Sequence, residues 1–227
     1  MRFDVITIFP SMFSPILGVS MIKRAQAKKK VSIHVHDLRY YTKDKHKKVD
    51  DRPFGGGPGM VMMAQPVVDA VSKIKGRRKT KVILLCPTGK LLTQQKARSL
   101  AEHKNILLVC GHYEGIDHRV ETAVIDESIS IGDYVLTGGE IPAMVLIDCV
   151  TRLIPGVLGS QESLADESFE FNLLEYPQYT RPANFRCQKV PSVLLSGHHE
   201  EVRQWRHQQS VLRTKKNRPD LIKRQKE

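Results

Sequence analysis

The 227-residue sequence predicts an α/β domain with a mainly parallel sheet, followed by a small, basic, helical C-terminal domain. Three observations carry this. Over the first 155 residues short apolar runs alternate with segments of helical period. "KVILLC" and "NILLVC" are unbroken apolar runs, as expected of strands covered on both faces. After Pro155 the texture turns polar and acidic and then rich in proline, which marks a change of domain.

In order, "FDVITIF" predicts a strand, "SMIKRAQAKKK" a basic helix and "VSIHVHDL" a half-exposed strand. "QPVVDAVSKIK" has helical spacing with Pro66 near its start, where the missing N–H costs nothing. Between the two apolar strands, "TQQKARSLAEHK" starts at an N-capping Thr93 and supplies a crossover helix. "IDHRVETAV" follows as a helix, "DESISI" as a short strand and "EIPAMVLIDCVTRLI" as a long amphipathic helix. This order argues for a parallel sheet with crossover connections. The domain is expected to span 1–158, a linker 159–172 and the helical domain 173–227. Within the last, "LLEYPQYTRPANFRCQKVPSVLLSG" predicts irregular chain. The final helix carries Val202, Trp205, Gln209 and Leu212 on one stripe, with Trp205 expected in the small core in preference to serving as a base-stacking platform.

Composition narrows the function classes. No apolar run approaches the roughly 20 residues of a membrane span, and the N-terminus has no cleavage pattern, so a soluble cytoplasmic protein is expected. Cys86, Cys110, Cys149 and Cys187 form no C-x-x-C pair and are expected as free thiols. The net charge of +12 is uneven: residues 22–48 hold ten Lys/Arg against two acids, and 72–81 and 203–226 are basic again. Basic clusters attract polyanions, which makes nucleic acid a natural partner beside the alternative of a solvated surface.

The glycine-rich stretch "SIGDYVLTGGEIP" (130–142) poses the question of a ligand. Gly138-Gly139 is followed by Glu140 and Ile141 rather than the Lys and Ser/Thr of a phosphate-binding P-loop, and no G-x-G-x-x-G pattern is present. "DDRPFGGGPGM" (50–60) carries two aspartates. Nucleotide hydrolysis is therefore disfavoured. "CPTG" (86–89), "CGHYEGID" (110–117) and 130–142 each follow a predicted strand, where open parallel sheets bind ligands. Bare backbone there suits a flat heterocycle.

"FDVITIFP", "DDRPFGGGPGMVM", "CGHYEGIDHRV", "SIGDYVLTGGEIPAMVLID", "IPGVLG", "YPQYTRP" and "LLSGHH" resemble the bacterial tRNA (guanine-N1)-methyltransferases of the SPOUT superfamily. These enzymes modify guanosine 37 in the anticodon loop. The resemblance runs from Met1 to about Arg218. It implies a C-terminal trefoil knot within the α/β domain and a homodimer with the active site at the subunit interface. It also implies S-adenosyl-L-methionine bound in the knot. The implied cofactor residues are Leu85, Cys86, Pro87, Gly111, Glu114, Gly115, Ser130, Ile131, Gly132, Asp133, Tyr134, Val135, Leu136, Gly138, Gly139 and Pro142. The family is associated with magnesium (Mg2+), but no ligand cluster in the sequence assigns a site.

Methylation at guanine N1 needs a base to remove the N1 proton and a cation or amide facing the charge that develops at O6. The resemblance implies Arg152 as the active-site arginine. Where the family reads E-D-S-F, with the aspartate as base, this chain reads Asp166-Glu167-Ser168-Phe169. Glu167 falls at the base position and is preferred; Asp166 serves instead after a small backbone shift. The reversed acid pair keeps a non-catalytic RNA-binding protein of the same fold as the alternative. His34 and His36 share a strand face and are weaker RNA candidates, and His198 and His199 are expected to cap a helix. The helical domain would grip tRNA phosphates.

Overall fold

The computed structural model describes residues 1–158 and 167–223, and its chain divides into two compact units, Met1–Gly159 and Ser160–Glu227. Asp166 lies outside the described residues.

The first unit is built on β1 (Arg2–Thr7), β2 (Ser32–Asp37), β5 (Lys81–Leu91), β6 (Asn105–Cys110) and β7 (Glu127–Ser130), in the order β2-β1-β6-β5-β7. Every pairing in this sheet is parallel. Alternation along the strands divides the core in two. Phe3, Val5, Ile83, Leu85, Ile106, Leu108 and Ile129 face α2 (Ser20–Ala27), α4 (Gln94–Ala101) and α6 (Glu140–Thr151). Ile6, Val82, Leu84, Leu107 and Val109 face α3 (Ala64–Lys75) and α5 (Arg119–Val124). Both faces are thus covered, which is why the central strands read as unbroken apolar runs. Thr93 caps α4, its side chain accepting from the Lys96 N–H.

Three other short elements precede α3 in the chain. A four-residue helix α1 covers Ser14–Leu17, and β3 (Asp50–Asp51) pairs antiparallel with β4 (Val61–Met62), closing the glycine-rich loop between them.

One prediction needs correction. "CPTG" is not a loop after a finished strand but an excursion inside β5. Leu85 and Lys90 both oppose Ile129, so the chain leaves the ladder at Cys86 and rejoins β7 at Lys90. Gly89 makes the return possible: a Cβ there would lie 2.4 Å from the Ile129 nitrogen and 2.5 Å from its carbonyl carbon.

The second unit carries β8 (Asn184–Phe185), β9 (Gln188–Lys189), α7 (His199–Asn217) and α8 (Pro219–Lys223). The β8–β9 hairpin corrects the expectation of irregular chain. Its turn residues Arg186 and Cys187 have φ of 50° and 65°, a geometry that ordinarily selects Asn-Gly. The α7 stripe also differs: Leu212 is exposed, and Ser210 and Thr214 are the buried residues. Thr214 Oγ1 accepts from the Leu174 N–H at 2.8 Å and donates to the Ser210 carbonyl at 2.6 Å. His198 and His199 are exposed, and no side chain caps α7. Within the expected linker, Glu170–Asn172 form a 3₁₀ turn.

Candidate active site

Because β5, β6 and β7 run parallel, the excursion of β5 and the segments that follow β6 and β7 meet on one edge of the sheet. They enclose a cavity of about 400 Å³. Its base is apolar, with Leu84, Leu85 and Ile129 from the strands and Pro142 from α6. Cys86, Pro87 and Thr88 form one wall and 111–116 a second; Ser130, Ile131, Gly132, Tyr134, Val135, Leu136, Thr137, Gly138 and Gly139 form the third.

The third wall is held by close backbone passage. Gly139 donates its N–H to the Gly111 carbonyl at 2.8 Å, and a Cβ on Gly139 would stand 2.7 Å from Cys110 Cα. Gly138 bridges to His112, running antiparallel to it. Further back, Ser130 Oγ accepts from the Gly132 N–H at 3.2 Å, and the Tyr134 hydroxyl donates to the Ile131 carbonyl at 3.2 Å. The loop 50–62 is docked onto the second wall. The Glu114 N–H donates to the Met60 carbonyl and the Met62 N–H to the Gly115 carbonyl, at 3.0 and 2.9 Å. Gly59 lies so close to Glu114 that an added Cβ would overlap its carboxylate. Burial and the nearby Asp50 raise the Tyr113 pKa.

Charge limits what the cavity can hold. Among the described residues, the carboxylates of Glu114 and Glu121 line it, and no Lys or Arg does. This suits a cationic ligand and is wrong for a phosphate. Among the described residues, no group of three or more His, Cys, Asp or Glu side chains is placed to hold a metal ion.

A polar cluster absent from the sequence reading lies beside this site. Glu140, in the first turn of α6, is buried. Its Oε1 accepts from Thr7 Oγ1 at 2.7 Å, and Thr7 Oγ1 accepts from the Phe9 N–H at 2.8 Å. His112 Nδ1, buried and without a hydrogen-bond partner, stands 3.8 Å from Glu140 Oε2. A carboxylate at a helix N-terminus is favoured by the helix dipole, and here it also ties the end of β1 to α6. Burial, with the Glu140 charge adding to it, pushes the Cys110 thiol well above its ordinary pKa.

Of the sixteen expected cofactor residues, the structure brings all except Asp133 to the cavity; Asp133 is exposed and does not line it. Thr88, His112, Tyr113, Ile116 and Thr137 also line it; they stand inside the segments 86–89, 110–117 and 130–142 expected at a ligand, without having been singled out. Sequence reasoning missed Leu84, Ile129 and Glu121, and Glu121, on α5, carried no signal. Arg152 caps the C-terminus of α6, its N–H donating to the Asp148 carbonyl at 3.2 Å. Glu167 belongs to the second unit.

Comparison with known proteins is decisive for the family. The model of the family described as "tRNA (Guanine-1)-methyltransferase TrmD" matches residues 1–224. The chain belongs to the tRNA (guanine-1)-methyltransferase family. Among its relatives, the tRNA (guanine-N(1)-)-methyltransferase of Ruminiclostridium cellulolyticum is 58% identical over 224 residues, covering 98% of this chain and 96% of the relative. The enzyme of the same name from Moorella thermoacetica is 53% identical over 227 residues, covering 99% and 91%. That of Shouchella clausii is 53% identical over 225 residues, covering 98% and 92%. Family members are methyltransferases, and the acidic, glycine-walled cavity is the cavity of this member.

Proposed function

We propose that this protein transfers a methyl group from S-adenosyl-L-methionine to N1 of guanosine 37 in the tRNA anticodon loop, with Glu167 as general base. The observation that carries the cofactor reading is the cavity formed by the excursion of β5 and the segments after β6 and β7, with two carboxylates and no Lys or Arg among the described residues of its lining. S-adenosyl-L-methionine supplies an electrophilic methyl group on a positively charged sulfur. Glu114 and Glu121 offset positive charge, and the glycine-bearing backbone of 131–139 admits a flat adenine against its amides and carbonyls.

Guanine N1 is protonated near neutral pH. In this reading the Glu167 carboxylate takes that proton, and the Arg152 guanidinium faces the charge that spreads to O6. N1 lies on the Watson–Crick edge, so the base must be unpaired, as an anticodon-loop base is. Such work belongs in the cytoplasm, and no helix among the described residues is long and apolar enough to cross a membrane. The family's association with magnesium finds no set of ligands among the described residues.

Two structural readings accompany this one. The close passages of Gly89 over Ile129 and of Gly139 over Cys110 support a trefoil-knotted path. An experimental chain trace with 131–140 lying outside the neighbouring loops would rule it out. Ile141 and Val145, one turn apart on α6, are 45% and 42% exposed, and Phe9, Met12, Ile16 and Val19 are exposed as well. Exposed apolar surface of this kind marks an association site and supports a homodimer. Ile141→Asp combined with Val145→Asp is expected to give monomers by light scattering; unchanged mass would count against this surface.

Primer extension on methylated tRNA tests the function, since a methyl at N1 of guanosine 37 stops the polymerase there. Glu167→Gln should lower the single-turnover rate by about 10²–10⁴ while S-adenosyl-L-methionine binding by calorimetry persists. A near-normal rate in Glu167→Gln with loss in Asp166→Asn would move the base to Asp166. Retention of tRNA with no methyl transfer by the unaltered protein would favour a non-catalytic RNA-binding role.

A further inference from the structure

The second unit holds a cavity of its own, of about 380 Å³, between the segment 176–195 and α7. Its chemistry is opposite to that of the first. Tyr176, Tyr179 and Trp205 supply aromatic walls, Arg181 and Arg206 line it, and among the described residues no carboxylate does. The Tyr179 and Trp205 rings stand 6.3 Å apart at 53°, too tilted to stack on one another. The Arg206 guanidinium lies 4.7 Å over the Tyr176 ring. Its Nε is buried and has no hydrogen-bond partner among the described residues. A buried N–H on a cation is costly to leave unsatisfied, so a turn of the Arg206 side chain toward the cavity is favoured when an acceptor enters it.

We propose that this cavity receives one unpaired nucleobase of the tRNA, distinct from the base that is methylated. A nucleobase offers two flat faces to aromatic side chains and, on its edge, carbonyl or ring-nitrogen acceptors for an N–H donor. Tyr179 and Trp205 provide the faces, and Arg206, stacked on Tyr176, provides the donor as its side chain turns toward the base. Arg181 and the basic residues of α7 add sequence-independent attraction for the flanking phosphates. The site rests on the reading that tRNA is the substrate. It changes the role of Trp205 from a core residue to a wall of a binding pocket.

Trp205 is the only tryptophan in the chain, so intrinsic fluorescence reports this cavity directly. The full-length protein is titrated with unmodified tRNA transcript, with guanosine 5′-monophosphate and with ribose 5-phosphate, while filter retention measures tRNA affinity independently. The transcript and the mononucleotide are expected to shift or quench the emission saturably, and ribose 5-phosphate to leave it unchanged. Arg206→Ala should weaken tRNA retention roughly tenfold, the size of one lost base contact. Arg206→Lys, which keeps the charge but not the planar fork, should lose most of the same affinity. Melting followed by circular dichroism verifies that both variants are folded. Unchanged emission at saturating tRNA, unchanged affinity in a folded Arg206→Ala, or an equal response to ribose 5-phosphate would each overturn the proposal. If the unaltered protein fails to retain tRNA at all, the substrate reading itself falls, and this site with it.

Discussion

The two cavities are built by opposite means. Among the described residues, that of the first unit is walled by backbone, with two carboxylates and no Lys or Arg; that of the second is walled by aromatic side chains, with two arginines and no carboxylate. Backbone walls are fixed by steric necessity. Where Gly139 passes Cys110 there is no room for a methyl group, so the wall has a single position. Side-chain walls are held by rotamers and can adjust to what enters. A small cationic cofactor of constant shape suits the first kind of wall, and a nucleic acid presented in varied sequence suits the second. In the proposed reading the contrast also separates the tasks: acidic groups for the methyl donor, basic and aromatic groups for the polyanion.

The largest effect is expected at the backbone wall. Gly139→Ala forces a Cβ against Cys110 Cα and the Gly111 nitrogen at 2.7 and 2.9 Å. It should cost about 3 kcal/mol, lower Tm by roughly 6–12 °C and abolish binding of S-adenosyl-L-methionine. Wild-type affinity in this variant would show that the wall yields, and the contrast with the second cavity would collapse.

Next comes the clip between β1 and α6. Glu140→Ala leaves the Thr7 hydroxyl and the first turn of α6 without their carboxylate, a loss of about 2 kcal/mol. Cofactor affinity should fall with it, because Gly138 packs between Glu140 and His112, whereas tRNA retention should hardly change. A double-mutant cycle with Thr7→Val tests the link, and simple additivity of the two losses would deny it.

The smallest effect sharpens the comparison by lying away from both cavities. Asp4 is buried in β1, bonded by Arg2 at 2.7 Å and by His36 at 2.8 Å. Burial alone would raise its pKa, but the hydrogen bonds and charges of Arg2 and His36 hold it well below the usual carboxylate range. Its contribution is therefore complete above about pH 4, the ordinary Asp value, and is lost as pH falls further. In urea unfolding, the gap between wild type and Asp4→Asn should be present at about pH 5 and narrow below about pH 4. A gap that widened on acidification would mean the carboxyl is protonated in the fold.

Much of the first unit was legible in the sequence. Apolar runs on β5 and β6 report burial on two faces, and Thr93 reports a helix start, because both signals are local. Gly138 and Gly139 pointed to close approach, though only the fold shows that what approaches is Cys110 and Gly111. The excursion of β5 at Cys86–Gly89 was read as a simple loop, since rejoining β7 is a pairing between residues about forty positions apart. The hairpin at Arg186-Cys187 was invisible because its turn lacks Asn and Gly, so tertiary packing overrides local preference there.

By itself, then, the sequence determined the α/β class, the order of the elements and the glycine-bearing segments around a ligand, all of which depend on periodicity and short-range sterics. Only the tertiary structure decided that the cavity is acidic, that Glu140 reaches across 133 residues to Thr7 and that Trp205 lines a second cavity instead of filling a core. Each of those depends on which distant side chains share a space. Charge balance, hydrogen-bond satisfaction and cavity shape belong to that shared space, and no local pattern along the chain encodes them.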